Sequence, residues 1–209
     1  MNYYDFSKIP TRESYSKIFK ELNKGSPQKI LLSGGKTPLD FYSSYLSKFD
    51  ANFLVTDERI TTNIQKLNQQ NILNVCNSFK PIRIPNNVAD IDDFQEDLTL
   101  QTSKMLPADL AILGIGSDGH YASIFDKSEL IFQCPKKYYI FSYIQQIDEI
   151  RFSISSEYLA RSKKIVILLD SRSSDKLELL ENIRMGNKMK NPIADLMQRI
   201  NQSMTIIVF

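Results

Sequence analysis

The sequence predicts a single α/β domain over residues 1–209, with an open, mainly parallel sheet and helices on both faces. Short apolar runs recur along the chain, small or turn-forming residues follow them, and helical patterns lie between them. Continuous apolar runs are typical of parallel strands that are buried on both faces. Strands that alternate with helices indicate a parallel sheet, so the predicted fold is Rossmann-like.

Three apolar runs, at residues 30–32, 53–55 and 110–113, end in small or polar residues and are predicted strands. Residues 89–105 carry apolar side chains on one face and acidic side chains largely on the other, which predicts an amphipathic helix. In open parallel sheets, ligands bind beyond the carboxyl ends of the strands. We therefore expect the residues after the three strands to converge on one cleft. Further strand candidates are residues 140–141, 152–154, 165–169 and 205–209.

The composition limits the classes of partner. The chain has 26 Lys+Arg and 24 Asp+Glu, a formal net charge of +2, and only two cysteines. This balance provides no long-range field that would attract nucleic acid or anionic lipid. The cysteines have no C-x-x-C spacing, and no apolar stretch approaches the ~20 residues of a membrane span. We expect a cytoplasmic protein that binds neither nucleic acid nor membranes.

The residues after the first run form a predicted anion site. Glycines let the backbone approach a ligand, while Thr37 and Pro38 suit the cap and the first position of a following helix. The free N–H groups at the start of that helix favour a phosphate. A nucleotide P-loop is excluded because Ile30 stands where that motif needs glycine. A tight turn without a ligand is the alternative. The predicted contacts are Ser33, Gly34, Gly35, Lys36 and Thr37.

The third run leads into a glycine-rich turn and the only histidine of the chain, His120. The turn matches G-x-G-x-x-G, but no acidic residue follows about 20 positions later to hold a ribose, so we exclude a dinucleotide site. Asp118 lies where a carboxylate can orient an imidazole that acts as a general base. Zinc and Cys-His chemistry are poorly supported, so we predict no metal and no cofactor. A purely structural histidine is the alternative.

Two further segments carry charged side chains near predicted strands. Asp57 and Arg59 follow the second run, where Arg59 can bind an anion and Asp57 can bind substrate hydroxyl groups. Arg151 stands at the start of the predicted strand at residues 152–154 and is a further cation candidate. A solvated charged turn is the alternative for the Asp-Glu-Arg segment.

Lys176 is predicted to lie in the first turn of a helix over residues 175–184, which Ser173 or Ser174 caps. The helix dipole disfavours a cation at that place unless an anion is bound nearby. Lys176 is therefore a candidate phosphate ligand. The alternative is a flexible surface lysine.

In order and spacing, these segments resemble the motifs of the 6-phosphogluconolactonase family, within the glucosamine/galactosamine-6-phosphate isomerase superfamily. The histidine motif, residues 114–125, is the most specific of them. Asn68 matches an asparagine that follows the Asp-Glu-Arg motif, and the resemblance adds Asn68 and Gly116 to the predicted substrate-binding residues. The chain departs from the family pattern at Lys36, Leu67, Asp126 and Ser173.

The resemblance implies metal-free hydrolysis of 6-phospho-D-glucono-1,5-lactone to 6-phosphogluconate, in the oxidative pentose phosphate pathway. His120 would take a proton from the attacking water, and Asp118 would support the imidazolium. The phosphate, remote from the reacting carbon, would anchor the substrate. The expected partner is therefore a small sugar-phosphate lactone, and the expected assembly is a monomer or a weak homodimer.

Two alternatives to the lactonase differ in their chemistry. A glucosamine-6-phosphate deaminase resembles this chain in the histidine motif, but it usually carries an aromatic residue where Arg59 stands and an acidic residue after the motif. Here Ile124 and Phe125 are expected to pack against the core instead. The second alternative is a non-catalytic sugar-phosphate-binding protein, against which the presence of His120 argues.

Overall fold

The computed structural model describes residues 1–187, 189–200 and 204–209. The described strands are β1 (Asn2–Asp5), β2 (Lys29–Leu32), β3 (Asn52–Val55), β4 (Asp57–Arg59), β5 (Leu110–Leu113), β6 (Ser128–Gln133), β7 (Tyr139–Ile144), β8 (Glu149–Ile154), β9 (Ile165–Leu169) and β10 (Thr205–Val208). The described α-helices are α1 (Thr11–Leu22), α2 (Lys36–Tyr45), α3 (Asn68–Leu73), α4 (Ile91–Met105), α5 (Ser156–Leu159), α6 (Ser174–Arg184) and α7 (Pro192–Arg199).

The predicted parallel sheet is confirmed. Six strands lie in the order β1-β10-β9-β5-β2-β3, and every neighbouring pair runs parallel. The apolar runs that predicted β2, β3, β5, β9 and β10 all belong to this sheet. Their register places β2 between β3 and β5, so the three polar segments that follow these strands lie side by side.

A second sheet departs from the prediction. The runs at residues 140–141 and 152–154, expected in the parallel sheet, belong to β7 and β8 of a four-stranded antiparallel sheet in the order β4-β8-β7-β6. Only residues 145–148 separate β7 from β8. A connection that short suits a hairpin, because parallel neighbours need a crossover of a dozen or more residues.

Helices cover both faces of the parallel sheet, as the sequence predicts. On one face, α1 and α2 bury Ile18 and Phe41 in a hydrophobic cluster with alternate residues of the strands. On the other face, α4, α6 and α7 pack together with the antiparallel sheet, which contributes Phe141 and Phe152. Among the described residues, no helix has both the length and the apolar composition to cross a membrane.

Thr56 joins the two sheets through its backbone. It is the single residue between β3 and β4, and it is fully buried. Its N–H donates to the carbonyl of Leu32 at 2.9 Å, and its carbonyl accepts from the N–H of Ile154 at 2.8 Å. The antiparallel sheet is thereby held beside the carboxyl ends of β2 and β3.

The helix starts differ in detail from the prediction. The first helical residue of α2 is Lys36, Gly35 occupies the cap position, and no side chain caps the helix. Thr37 is therefore not the cap, and Pro38 is the third helical residue, because the extended Gly35 lets the helix begin two residues earlier than predicted. In α6, Ser173 occupies the cap position without a side-chain bond, and Lys176 lies in the first turn as predicted.

Candidate functional site

A cleft of about 310 Å³ opens at the carboxyl ends of β2, β3 and β5, where the antiparallel sheet forms its far wall. The three polar segments predicted to converge do line it together. The residues that line the cleft are Ser33, Gly34, Gly35, Lys36, Thr37, Pro38, Asp57, Arg59, Asn68, Gly114, Ile115, Gly116, His120, Ala122, Phe125, Arg151 and Lys176.

The loop after β2 and the first residues of α2 form one wall. Ser33 is tied to β5 by a backbone hydrogen bond from its N–H to the carbonyl of Ile112 at 3.0 Å. A Cβ atom on Gly34 would overlap the side chain of Asn68, so glycine is needed there for close packing. The buried Ser33 hydroxyl has no hydrogen-bond partner among the described residues. This wall therefore offers the free N–H groups at the start of α2 to a ligand.

A tight turn holds the backbone of His120. The N–H of Gly116 donates to the carbonyl of His120 at 2.8 Å, and the N–H of Gly119 donates to the carbonyl of Gly116 at 3.1 Å. Gly119 has a φ of +82°, a region that favours glycine. The same glycine packs against Asn191, the cap of α7, whose side chain accepts from the N–H of Ala194 at 2.9 Å. The turn is therefore anchored to a helix.

The His120 ring is held on three sides. Its Nδ1 lies 2.6 Å from Asp118 Oδ1, and its face stacks on Phe125 with ring centroids 4.1 Å apart and planes 17° apart. A Cβ atom on Gly116 would overlap the ring, so this glycine makes room for the imidazole. Since Nδ1 is engaged by Asp118, Nε2 is the ring nitrogen available to a ligand in the cleft.

The surroundings of Asp118 favour the ionised form of its carboxyl group. Partial burial raises the pKa of Asp118, but the hydrogen bonds that it accepts from the backbone and ring of His120 outweigh burial, and the pKa lies below its ordinary value. The backbone bond measures 3.2 Å. The carboxylate form is therefore favoured beside the imidazole, where it can stabilise a positive charge on the ring.

Phe125 is a correction to the sequence analysis. Ile124 packs against the hydrophobic core as expected. Phe125 instead lines the cleft beside His120. A tight turn explains the difference, because Ala122 has a φ of +47° and the N–H of Ile124 donates back to the carbonyl of Tyr121 at 2.9 Å. The adjacent residues Ile124 and Phe125 therefore face different surroundings.

The antiparallel sheet supplies two arginines from neighbouring strands. Arg59 on β4 and Arg151 on β8 lie directly opposite each other in the register. Arg59 Nη1 donates to Asn68 Oδ1 at 2.7 Å, and Asn68 Nδ2 donates to the carbonyl of Asp57 at 2.9 Å. Arg151 is 8% exposed and pairs with Glu149, its Nη2 lying 2.5 Å from Glu149 Oε2. The two cations thus share one wall of the cleft.

Asp57 is held by both of its carboxylate oxygens. Oδ1 accepts from the Thr56 hydroxyl at 3.0 Å, and Oδ2 accepts from the Ser123 hydroxyl at 2.8 Å. Arg151 Nη1 lies 4.0 Å from Oδ2. The side chain is buried, yet it lines the cleft, so its carboxylate presents a fixed acceptor to a ligand.

Glu58 has a structural function that the sequence analysis missed. Its buried carboxylate accepts from the backbone N–H groups of Asn68 and Gln69, each at 2.8 Å, and so holds the start of α3. Burial raises the pKa of Glu58, although the backbone hydrogen bonds oppose it. Successive residues of a strand face opposite sides, so Asp57 and Arg59 reach the cleft while Glu58 points away from it. That alternation has meaning only once residues 57–59 are recognised as a strand.

All the predicted phosphate- and substrate-binding residues line this one cleft, as does His120. Asp118 does not line the cleft, but its carboxylate contacts His120. Their binding and catalytic roles stay predictions. Among the described residues, no group of three or more His, Cys, Asp or Glu side chains is placed to hold a metal ion. The sequence analysis missed the place of Phe125 in the cleft and two carboxylates that support it from outside, Glu149 and Glu58.

Comparison with known proteins gives close agreement in fold and weaker agreement in sequence. The chain is 28% identical over 218 residues to the bifunctional glucose-6-phosphate 1-dehydrogenase/6-phosphogluconolactonase of Plasmodium falciparum, covering 82% of this chain and 24% of that protein. It is 34% identical over 140 residues to the 6-phosphogluconolactonase of Thermotoga maritima, covering 59% of this chain and 60% of the relative. The chain thus spans less than two thirds of the length of these relatives.

Solved structures cover the chain almost completely. The crystal structure of 6-phosphogluconolactonase from Thermotoga maritima has a TM-score of 0.74 at 20% identity, covering 99% of this chain and 98% of the other. The structure of 6-phosphogluconolactonase from Trypanosoma brucei has a TM-score of 0.77 at 19% identity, covering 98% and 95%. At these identities the likeness establishes the shared α/β fold.

Family membership follows from a match over nearly the whole domain. The model of the family described as "Glucosamine-6-phosphate isomerases/6-phosphogluconolactonase" matches residues 11–206, from the start of α1 into β10. This range includes all the cleft-lining residues. The chain therefore belongs to the family of glucosamine-6-phosphate isomerases and 6-phosphogluconolactonases.

Proposed function

We propose that this protein hydrolyses 6-phospho-D-glucono-1,5-lactone to 6-phosphogluconate in the oxidative pentose phosphate pathway. The observation that carries the proposal is one cleft that joins a histidine–carboxylate pair to a group of cations. The relatives named 6-phosphogluconolactonase support it. A reaction on a lactone ring and the binding of a remote phosphate need these two sets of groups side by side.

The cations favour a phosphate in the same cleft as His120. The charged residues that line the cleft are one carboxylate and four cations, namely Asp57, Lys36, Arg59, Arg151 and Lys176. The free N–H groups at the start of α2 add positive potential to the cleft from the wall that follows β2. Charge-assisted hydrogen bonds to phosphate are strong, and arginine binds phosphate with two parallel donors. Lys176, in the first turn of α6, fits a bound anion for the same reason.

His120 is the proposed general base. Nε2 takes a proton from a water molecule as the water oxygen attacks the lactone carbonyl, which forms a tetrahedral intermediate. The bond to the ring oxygen then breaks, and the imidazolium returns its proton to that oxygen to give the hydroxy acid. Asp118 stabilises the imidazolium between these steps, and the anchored phosphate fixes the carbonyl relative to His120.

The cleft favours the lactonase over the deaminase. Deamination with ketose formation moves protons between sugar carbons and needs further acid or base groups. After the histidine motif, Ser123 is committed to Asp57, Ile124 packs against the core, and Phe125 is apolar. None of these three side chains transfers protons at neutral pH. Opening a lactone needs one group to activate water, which His120 supplies.

The direct test measures the disappearance of 6-phosphogluconolactone with and without the protein, with the spontaneous rate subtracted. We expect hydrolysis that prefers the phosphorylated over the unphosphorylated lactone and survives exhaustive chelation. Equal hydrolysis of both lactones would contradict the phosphate site. Ammonia release from glucosamine 6-phosphate above background would favour the deaminase, and ligand binding without turnover would favour the sugar-phosphate sensor.

We further infer that the protein works in the cytoplasm as a monomer or a weak homodimer. Cys76 and Cys134 are both free and buried, which fits a reducing compartment. Light scattering after size-exclusion chromatography over a range of concentrations tests the assembly. A concentration-independent dimer or larger species would contradict it.

A further inference from the structure

The carboxylate of Glu149 forms ion pairs with three cationic side chains just outside the cleft. It lies on β8 two residues before Arg151, so both side chains are on the same face of the strand. Glu149 Oε2 lies 2.5 Å from Arg151 Nη2 and 3.9 Å from Arg59 Nε, while Oε1 lies 3.7 Å from Lys66 Nζ. Arg59 and Arg151 line the cleft, so the carboxylate contacts the pair of arginines from behind.

The two arginines need a counter-charge. Like charges directly opposite each other on antiparallel strands are destabilising, and Arg59 and Arg151 are direct partners in the register. Burial lowers the pKa of Arg151 and the neighbouring Arg59 lowers it further, while Glu149 and Asp57 oppose them. Asp57 lies 4.0 Å from Arg151, so Glu149 is the nearer of the two carboxylates.

The contact with Glu149 also leaves other donors of Arg151 free. Only Nη2 is engaged by the carboxylate at short range. Among the described residues, Nε has no hydrogen-bond partner although it is buried. A guanidinium that is fixed at one nitrogen keeps a defined direction for its remaining donors, which is the arrangement that binds phosphate with two bonds.

We propose that Glu149 is a positioning residue of the anion site, whose carboxylate holds the Arg59 and Arg151 guanidinium groups side by side so that both can bind the substrate phosphate. The proposal rests on the proposed function, because it assigns the pair of arginines to the phosphate. The proposal also predicts a change in phosphate affinity that is opposite to the change expected from the net charge alone. Removing a negative charge near a site would by itself tighten anion binding, whereas loss of positioning weakens it.

The test compares Glu149→Ala, Glu149→Gln and, as a matched control, Lys66→Ala, which removes the third partner of Glu149. Isothermal titration with inorganic phosphate gives Kd, and lactone hydrolysis gives KM and kcat. We expect Glu149→Ala to raise Kd and KM about tenfold with kcat little changed, as loss of one close, largely buried ion pair would do. The amide oxygen of Glu149→Gln can accept from Arg151 and should restore part of the affinity. Lys66→Ala should change neither constant by more than about twofold, since exposed ion pairs contribute little.

Three results would overturn the proposal. An unchanged or lower Kd for phosphate in Glu149→Ala would mean that the carboxylate is neutral or competes with the ligand. A fall in kcat as large as the rise in KM would mean a general structural defect. If Glu149→Ala fails to fold, a Glu149→Gln variant with wild-type Kd and KM would show that the charge is dispensable. A wild-type protein that neither binds phosphate nor hydrolyses the lactone would overturn the proposed function too, whereas an active wild type with an unaffected Glu149→Ala overturns this inference alone.

Discussion

The two walls of the cleft are built by different means. The parallel sheet contributes loops, in which Gly34 and Gly116 make room for neighbouring side chains and backbone bonds set the shape. The antiparallel sheet contributes side chains of regular strands, in which Arg59 and Arg151 are held by ion pairs and hydrogen bonds. We call the wall formed by the parallel-sheet loops the loop wall and the wall formed by β4 and β8 the strand wall. On the loop wall, we expect substitutions to act mainly through steric clashes and to lower kcat. On the strand wall, we expect changes of charge to dominate and to raise KM.

The largest effect is expected for His120→Ala on the loop wall. Loss of the general base should lower kcat by ~10²–10⁴-fold, the usual range for such a group, while the fold stays intact. Steady-state kinetics on 6-phosphogluconolactone measure kcat, and circular dichroism of the variant shows whether the fold is intact. Near-native turnover in a folded variant would refute the assignment of His120.

The second effect tests the steric part of the comparison. Gly116→Ala places a Cβ atom where the His120 ring lies, so the ring must move. A displacement of about 1 Å can cost on the order of 10²-fold in rate, and we expect a fall of that order in kcat. Ser117→Ala is the control, because Ser117 lies in the same turn but is exposed and is not among the residues that line the cleft. Equal loss in both variants would show that the loop wall is sensitive for another reason.

The third effect belongs to the cations. Arg151→Ala on the strand wall and Lys176→Ala in α6 should each raise KM by about tenfold or more with a smaller change in kcat, because each removes a charge-assisted bond to the phosphate. Inorganic phosphate should compete with the substrate in the wild type and lose potency in both variants. Lys163→Ala, whose side chain is 74% exposed and pairs with Asp109, is the control. A kcat effect without a KM effect would remove the distinction between the two walls.

The smallest effect concerns the pH dependence of stability. The pKa of Asp118 is lowered in the folded chain, so its carboxylate stabilises the fold above the unfolded-state pKa of about 3.9. This contribution is lost as the pH falls through the lower, folded-state pKa. The Tm difference between the wild type and Asp118→Asn should therefore be positive near neutral pH and shrink in acid. A difference that grows on acidification would have the wrong sign.

The loop wall could be predicted from the sequence because its signals are local. An apolar run that ends in glycine indicates both the strand and the turn after it, and this placed Ser33 and His120 correctly. The strand wall depends on the pairing of β4 with β8, which brings Arg59 to Arg151 across about 90 residues of chain. Apolar runs do not encode which strands pair or in which direction, so the antiparallel sheet was missed.

The remaining errors have similarly local physical causes. The start of α2 was misplaced because Gly35, which has no capping side chain, takes the cap position instead of Thr37. Glu149 was overlooked although it lies two residues before Arg151, since the same-face spacing has meaning only once a strand is recognised. Phe125 was assigned to the core from its apolar character alone, whereas its stacking on His120 depends on the turn at Ala122.

The buried backbone of Thr56 limits the movement of the two cleft walls relative to each other. Its amide proton is shielded and bonded to β2, and its carbonyl is bonded to the residue that ends β8. Amide hydrogen exchange at such a position requires a large cooperative opening rather than local fraying. The amides of Thr56 and Ile154 should therefore exchange together and slowly, even while the exposed turn around Asp118 exchanges fast. We therefore expect the distance between the two walls to be set before a ligand binds, without a hinge movement.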